Sequence, residues 1–324
     1  MTLAPYVKIL ARGQGRARGF TQDEADAAMT HMLAPDAAPE AVGAILMLLR
    51  MKGETAEEIA GFAAAARRAN RGAWTGARPA LDWPSYAAGR TRGLPWFLLA
   101  ARLVADAGVP VLLHGWNSHQ DAAASVRAAL PSIGLRPATT LEDSADQLAR
   151  DGIAYLPLEV LSPRLMALLR LRDVLGLRSC VNTVCRMLNP AAATAAVQGV
   201  FHPSYRELQA DAAQLLGLDR LTVLKGGGGE FEHHPAKDIV TFGLRSGQPW
   251  TGLTGQRMDA HRRLADAPST PETLGHIWQG TVHDPFAEAI VLSTAALALE
   301  TVGIAHPEQA ARDLWESRRR DVAA

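Results

Sequence analysis

An α/β domain joined to a smaller all-α domain is the fold class that the sequence predicts, on three observations. The first 70 residues carry helical periodicity and helix-capping residues. Short apolar strands then recur, each reached from helical sequence, which predicts a mainly parallel sheet covered by helices. With 324 residues and 48% hydrophobic composition, the chain can bury the cores of two domains.

The first helix is expected over Pro5 to Ala11, and the next begins at Thr21, a cap backed by Asp23 and Glu24. From Ala41 to Arg67 the chain reads as two antiparallel helices. Val42, Ile45, Leu46, Leu48 and Leu49 form the apolar face of the first. Lys52 places positive charge at its negative end, and Gly53 supplies the left-handed conformation that ends it. Thr55 caps the second helix, with Glu57 and Glu58 in its first turn. Residues 70 to 84, with Gly72, Gly76, Pro79 and Pro84, read as a linker. Strands are expected at Gly108 to Leu113, Ile153 to Pro157 and Leu221 to Leu224, and helix over Ser162 to Asn189.

Thirty-three basic and thirty-three acidic residues cancel, so no overall charge announces a polyanionic partner. Cys180 and Cys185 stand five apart in expected helix with no nearby histidine, which argues against a metal site or disulfide and fits a reducing cytoplasm. The N-terminal stretch is not apolar enough for a signal peptide. The most apolar stretches are interrupted by Arg102, Asp106, Glu288 and Glu300, so no membrane span is expected.

The string LRMKGETAEEIAG, Leu49 to Gly61, resembles the N-terminal helical signature of the anthranilate phosphoribosyltransferases, glycosyltransferase family 3. The segment Arg172 to Ser179 resembles that family's RxxLGxRT, and Cys180 to Pro190 follows as a variant of TIFNxLGPLxNP. The resemblance covers essentially the whole chain. It implies a class IV phosphoribosyltransferase (nucleoside phosphorylase-like) fold. The helical domain would be residues 1–75 completed by about 162–190, the α/β domain the rest of 78–324, and the assembly a homodimer through the helical part.

Phosphoribosyl transfer needs backbone N–H groups around a pyrophosphate, acidic ligands for magnesium and a pocket that aligns the acceptor. Where the family has GTGGD, this chain has Ser85-Tyr86-Ala87-Ala88-Gly89, in which the Cβ atoms of Tyr86, Ala87 and Ala88 crowd a phosphate, followed by Arg90 and Arg92, whose guanidinium groups offer charged donors instead. His114-Gly115-Trp116-Asn117 resembles KHGNR without its lysine; it reads equally as a strand-end turn with a hydrogen-bonded histidine. Lys225 and the glycines Gly226, Gly227, Gly228 and Gly229 read either as a flexible loop or as an anion cradle. Glu230 is what remains of the family's Asp-Glu pair, a weak candidate for Mg2+. The resemblance gives Arg172 the acceptor's carboxylate; a surface ion pair is the alternative.

PSYxxGR, VxVLLHG, the segment Val200 to Tyr205 and the loop ending in Gly-Glu together look like the paralogue branch that keeps the fold, lacks the complete pyrophosphate site and is associated with nucleic-acid binding. The candidates for phosphate contact are Lys8, Arg12, Arg16, Arg18, Arg67, Arg68 and Arg71. The expectation is therefore a protein without the usual tryptophan-pathway activity that binds nucleic acid or another phosphate-bearing ligand. The alternative is a phosphoribosyltransferase that moves phosphoribose from phosphoribosyl pyrophosphate to an unidentified aromatic acceptor.

Overall fold

The computed structural model describes residues 2–70, 74–86, 93–116, 125–259 and 270–318. Five helices come first: α1 (Ala4–Ala11), α2 (Gly13–Arg16), α3 (Gln22–Met32), α4 (Pro39–Lys52) and α5 (Ala56–Ala69). Thr21 and Thr55 each form a reciprocal capping box, with Glu24 and Glu58 respectively, which satisfies orphan N–H groups at the starts of α3 and α5. Gly53 ends α4 at φ +83°, where a side chain would be strained. Glu58 is fully buried and also accepts from Phe20 N and Lys52 Nζ, which ties the α4–α5 turn to the chain entering α3. Gly61 lets α3 and α5 touch, because a Cβ there would lie 2.2 Å from Gln22 O.

The rest is built on one sheet. It runs β1 (Leu81–Ser85), α6 (Phe97–Asp106), β2 (Val111–Gly115), α7 (Val126–Ala129), α8 (Leu141–Asp151) and β3 (Ile153–Pro157). Four short helices follow: α9 (Leu158–Leu161), α10 (Pro163–Arg170), α11 (Arg172–Leu175) and α12 (Val181–Arg186). The chain then returns through β4 (Ala195–Val200), α13 (Tyr205–Leu215), β5 (Arg220–Lys225), β6 (Ile239–Arg245) and β7 (Gln248–Thr254). It finishes with α14 (Glu272–Gln279), α15 (Pro285–Val302) and α16 (Pro307–Ser317). Among the described residues the seven strands lie in the order β3-β2-β1-β4-β5-β6-β7. The first five run parallel and β6 and β7 antiparallel.

Both faces of the sheet are covered, as a parallel sheet requires. Leu112, Ala154 and Leu156 point into a core shared with α3, α4, α5, α10 and α12. Their neighbours Val111, Leu113, Ile153 and Tyr155 point into a second core under α6 and α15. Helix α15 is long and apolar enough to cross a membrane by length and composition, yet two-thirds of it is buried inside the chain, which marks it as a core helix.

Three sequence expectations need correction. The supposed linker up to Pro84 contains β1. Pro84 is tolerated there because β4 pairs with β1 only at Leu81 and Asp82, so on that side no ladder donor is required at residue 84. The helical stretch Ser162 to Asn189 is three short helices, broken at Leu171 and across Gly176, which sits at φ +67°. Strands β4, β6 and β7 were not expected at all.

Candidate functional site

Strand order reverses between β1 and β4, and the crevice at the carboxyl ends of the strands is where such sheets place their sites. Ser85 ends β1 and donates its hydroxyl to Glu230 Oε1 at 3.1 Å. Tyr86 follows, its hydroxyl 2.9 Å from His114 Nδ1, while His114 Nε2 lies 3.2 Å from Asp82 Oδ1. Asp82, Ser85, Tyr86 and His114 are all buried, so these side chains form an internal polar chain rather than the wall of an open pocket. Burial raises the Tyr86 phenol well above its ordinary value and keeps it protonated. Gly115 is required by packing: a Cβ there would stand 2.0 Å from Ser85 O.

The glycine loop does not present a cradle of free N–H groups. Gly226 N donates to Val200 O, Gly227 N to Glu232 O and Gly229 N to Gly226 O, so three of the four glycine donors are engaged within the fold. The loop is pressed onto the end of β4. A Cβ at Gly226 would be 1.7 Å from Glu230 O, and one at Gly199 2.0 Å from Glu230 C. Gly228, at φ 63°, makes the turn. Lys225 is exposed at the end of β5.

The expected magnesium ligand fares similarly. Glu230 is 1% exposed and bonded to Ser85. The next carboxylate, Glu232, accepts from Phe97 N at 3.0 Å and so caps α6. Among the described residues no three His, Cys, Asp or Glu side chains converge as a metal cage.

The residue that organises the crevice is Arg186, which sequence reasoning overlooked. It is 5% exposed, on α12. Its Nη2 donates to Tyr86 O at 2.8 Å and to Gly229 O at 3.4 Å, and its Nη1 donates to Asn182 O at 3.2 Å and to Asn182 Oδ1. One guanidinium thus ties Tyr86, the residue that follows β1, to Gly229 in the loop after β5. Burial lowers its pKa and the nearby Glu230 carboxylate opposes that shift. A lone charge inside Val181 to Met187 was the available signal; in register with TIFNxLGPLxNP, Arg186 falls on the first proline.

Above Arg186 opens a pocket of about 450 Å³ between α4, α11, α12 and the start of α13. Arg50, Arg172 and Arg178 line it with Phe201, His202 and Tyr205. Arg172 reaches Asp173 at 4.0 Å, a loose ion pair, and lines the pocket besides. Arg178 is half-buried.

The basic residues expected on a nucleic-acid face are dispersed. Arg18 is paired with Glu24 and Arg68 with Asp26, both at 2.6 Å, while Arg67 turns inward to Met187 O at 2.8 Å. Lys8, Arg12 and Arg16 are exposed on α1, α2 and the turn between them. Arg71, Arg90, Arg92 and Asn117 lie outside the described residues.

Comparison with known proteins gives a consistent result. Residues 4–69 match the helical bundle domain, and residues 97–316 the a/b domain, of a glycosyl transferase family. The anthranilate phosphoribosyltransferase of Haloarcula marismortui is 30% identical over 297 residues, which cover 90% of this chain and 89% of that protein. The enzyme of that name from Halobacterium salinarum is 32% identical over 71% of this chain and 67% of its own length. Among solved structures, the anthranilate phosphoribosyltransferase from Thermus thermophilus superposes with TM-score 0.79 at 24% identity, covering 98% of this chain and 94% of that one. The Saccharomyces cerevisiae protein in complex with PRPP and Mg does so with TM-score 0.77 at 16% identity, over 97% and 93% of the two chains. These last two share the fold.

Proposed function

The chain belongs to the glycosyl transferase family of the anthranilate phosphoribosyltransferases, and on that premise we propose that it binds an anionic small molecule in the pocket beside Arg186 and has lost the usual anthranilate transfer. The observation that carries this reading is the Arg186 clamp. In a transferase of this family the crevice between β1 and β5 receives a pyrophosphate, whereas here one buried guanidinium bridges it by the carbonyls of Tyr86 and Gly229. The engaged N–H groups of the glycine loop support the same reading.

A phosphate- or carboxylate-bearing small molecule is favoured over nucleic acid by where the arginines stand. Arg50, Arg172 and Arg178 converge on one concave site, while Arg18 and Arg68 on the helical surface are already neutralised by carboxylates. Transfer of phosphoribose to another aromatic acceptor is the second reading, supported by relatives named anthranilate phosphoribosyltransferase that span most of the chain. The homodimer through the helical domain belongs to the proposal too, and light scattering on the purified protein checks it.

Titration calorimetry separates the readings. Saturable binding of aromatic or phosphate anions, without magnesium-dependent binding of phosphoribosyl pyrophosphate, is the outcome expected here. Magnesium-dependent binding of phosphoribosyl pyrophosphate would restore the transferase reading. Salt-sensitive retention of a labelled oligonucleotide that is lost on changing Arg16, with no small-anion binding, would favour nucleic acid.

A further inference from the structure

The pocket beside Arg186 carries more positive charge than one carboxylate can answer. Arg178 makes no hydrogen bond or ion pair with any described residue, and it faces the like-charged Arg50 and Arg172. Burial and those two neighbours hold its pKa below the usual guanidinium value, and its own charge acts in turn on Arg186 at the floor. Arg186 at the floor has the Glu230 carboxylate nearby, but Arg50 and Arg178 have no carboxylate partner among the described residues. Asp173 stands 4.0 Å from Arg172, and Glu54 accepts from the Tyr205 hydroxyl at 2.9 Å. Four guanidinium groups therefore run from rim to floor of a site of about 450 Å³. A half-desolvated cation without a protein partner is costly, and a bound anion removes the cost.

The pocket also offers an apolar surface. Phe201 is 46% exposed on its lining, with the His202 ring edge-on at 4.9 Å. An exposed phenyl ring beside guanidinium groups suits a flat aromatic body with anionic substituents.

We propose that the ligand is a planar aromatic carrying two negative charges on carboxylate or phosphate groups, and that Arg178 is the residue that selects for the second charge. The inference rests on the anion-pocket reading and sharpens it to a ligand class. The doubly charged ring satisfies both Arg178 and the Arg50–Arg172 pair, where a monocarboxylate satisfies one of them. Arg186 contributes field more than contact, since both its Nη groups are spent on carbonyl oxygens.

The test is titration calorimetry of the full chain with four probes: benzoate, anthranilate, benzene-1,2-dicarboxylate and phenyl phosphate. The two dianions are expected to bind about tenfold tighter than the two monoanions, as one further charge-assisted contact implies. Phthalate above phenyl phosphate assigns the charges to carboxylates, and the reverse order to a phosphate. Arg178→Gln is expected to erase the preference, weakening the dianions about tenfold more than benzoate, and Arg18→Gln, at a distant surface pair, to change nothing. Thermal unfolding confirms that Arg178→Gln folds; because Arg178 has no described protein partner and two like-charged neighbours, its midpoint is expected to match or exceed that of the parent. Equal affinity for mono- and dianions, or a preference that survives Arg178→Gln, overturns the inference while leaving the anion pocket standing. No binding of any probe overturns both.

Discussion

Ser85, the last residue of β1, donates its hydroxyl to Glu230 Oε1 at 3.1 Å and so joins the strand at the reversal of the sheet to the end of the glycine loop. Both groups are buried, so the carboxylate depends on donors supplied by the fold. Ser85→Ala removes one of them and is expected to cost about 1–3 kcal/mol, read from the urea midpoint. An unchanged midpoint would show that the contact is dispensable.

Arg186→Met deletes the clamp and leaves the carbonyls of Tyr86, Asn182 and Gly229 without this donor. The expected loss is about 2–4 kcal/mol. Arg186→Lys, with one compact ammonium in place of a fork, is expected to recover part of that loss. Full recovery would argue that charge alone, without the bridging geometry, holds the two loops.

The glycines of the crevice are expected to tolerate no side chain. Gly226→Ala drives a Cβ to 1.7 Å from Glu230 O, whereas Gly13→Ala on α2 meets nothing within 4 Å. Thermal scans are expected to show Gly226→Ala destabilised by about 1–3 kcal/mol or more and Gly13→Ala within about 0.5 kcal/mol of the parent.

His233 gives a pH signature. Its ring is fully buried, with Nδ1 3.0 Å from Ser293 Oγ, and burial, helped by Arg257 and His234, pushes its pKa down from 6.5 to about 4. Between those values the unfolded chain binds the proton and the native one does not. This contribution to stability is complete above pH 6.5 and is lost as pH falls toward 4, by up to about 3 kcal/mol. His233→Gln is expected to flatten that limb of the profile; an identical slope would place the titration elsewhere.

Local chemistry made some elements legible and long-range packing hid others. The α3 and α5 starts could be read because a capping box is written within four residues, and Gly53 because a helix end needs a left-handed residue. Strand β1 was hidden because Asp82 and Pro84 break the apolar pattern; what admits them is partners far away in sequence, His114 beside Asp82 and a β4 that pairs only at the start. The glycine loop stayed open between a flexible loop and an anion cradle because sequence shows which N–H groups exist and not which carbonyls reach them. Arg186 was missed for the same reason: its acceptors lie 100 and 43 residues away, on loops that meet only at the reversal of the sheet.

The most direct test of the account is a steady-state assay of the purified protein with anthranilate, phosphoribosyl pyrophosphate and magnesium, following the loss of anthranilate fluorescence. With Tyr86 and Gly229 bridged by Arg186 across the crevice, no turnover above the protein-free control is expected. Turnover at rates typical of enzymes, ~1 to 1000 per second, would contradict the account and return the chain to the catalytic members of its family.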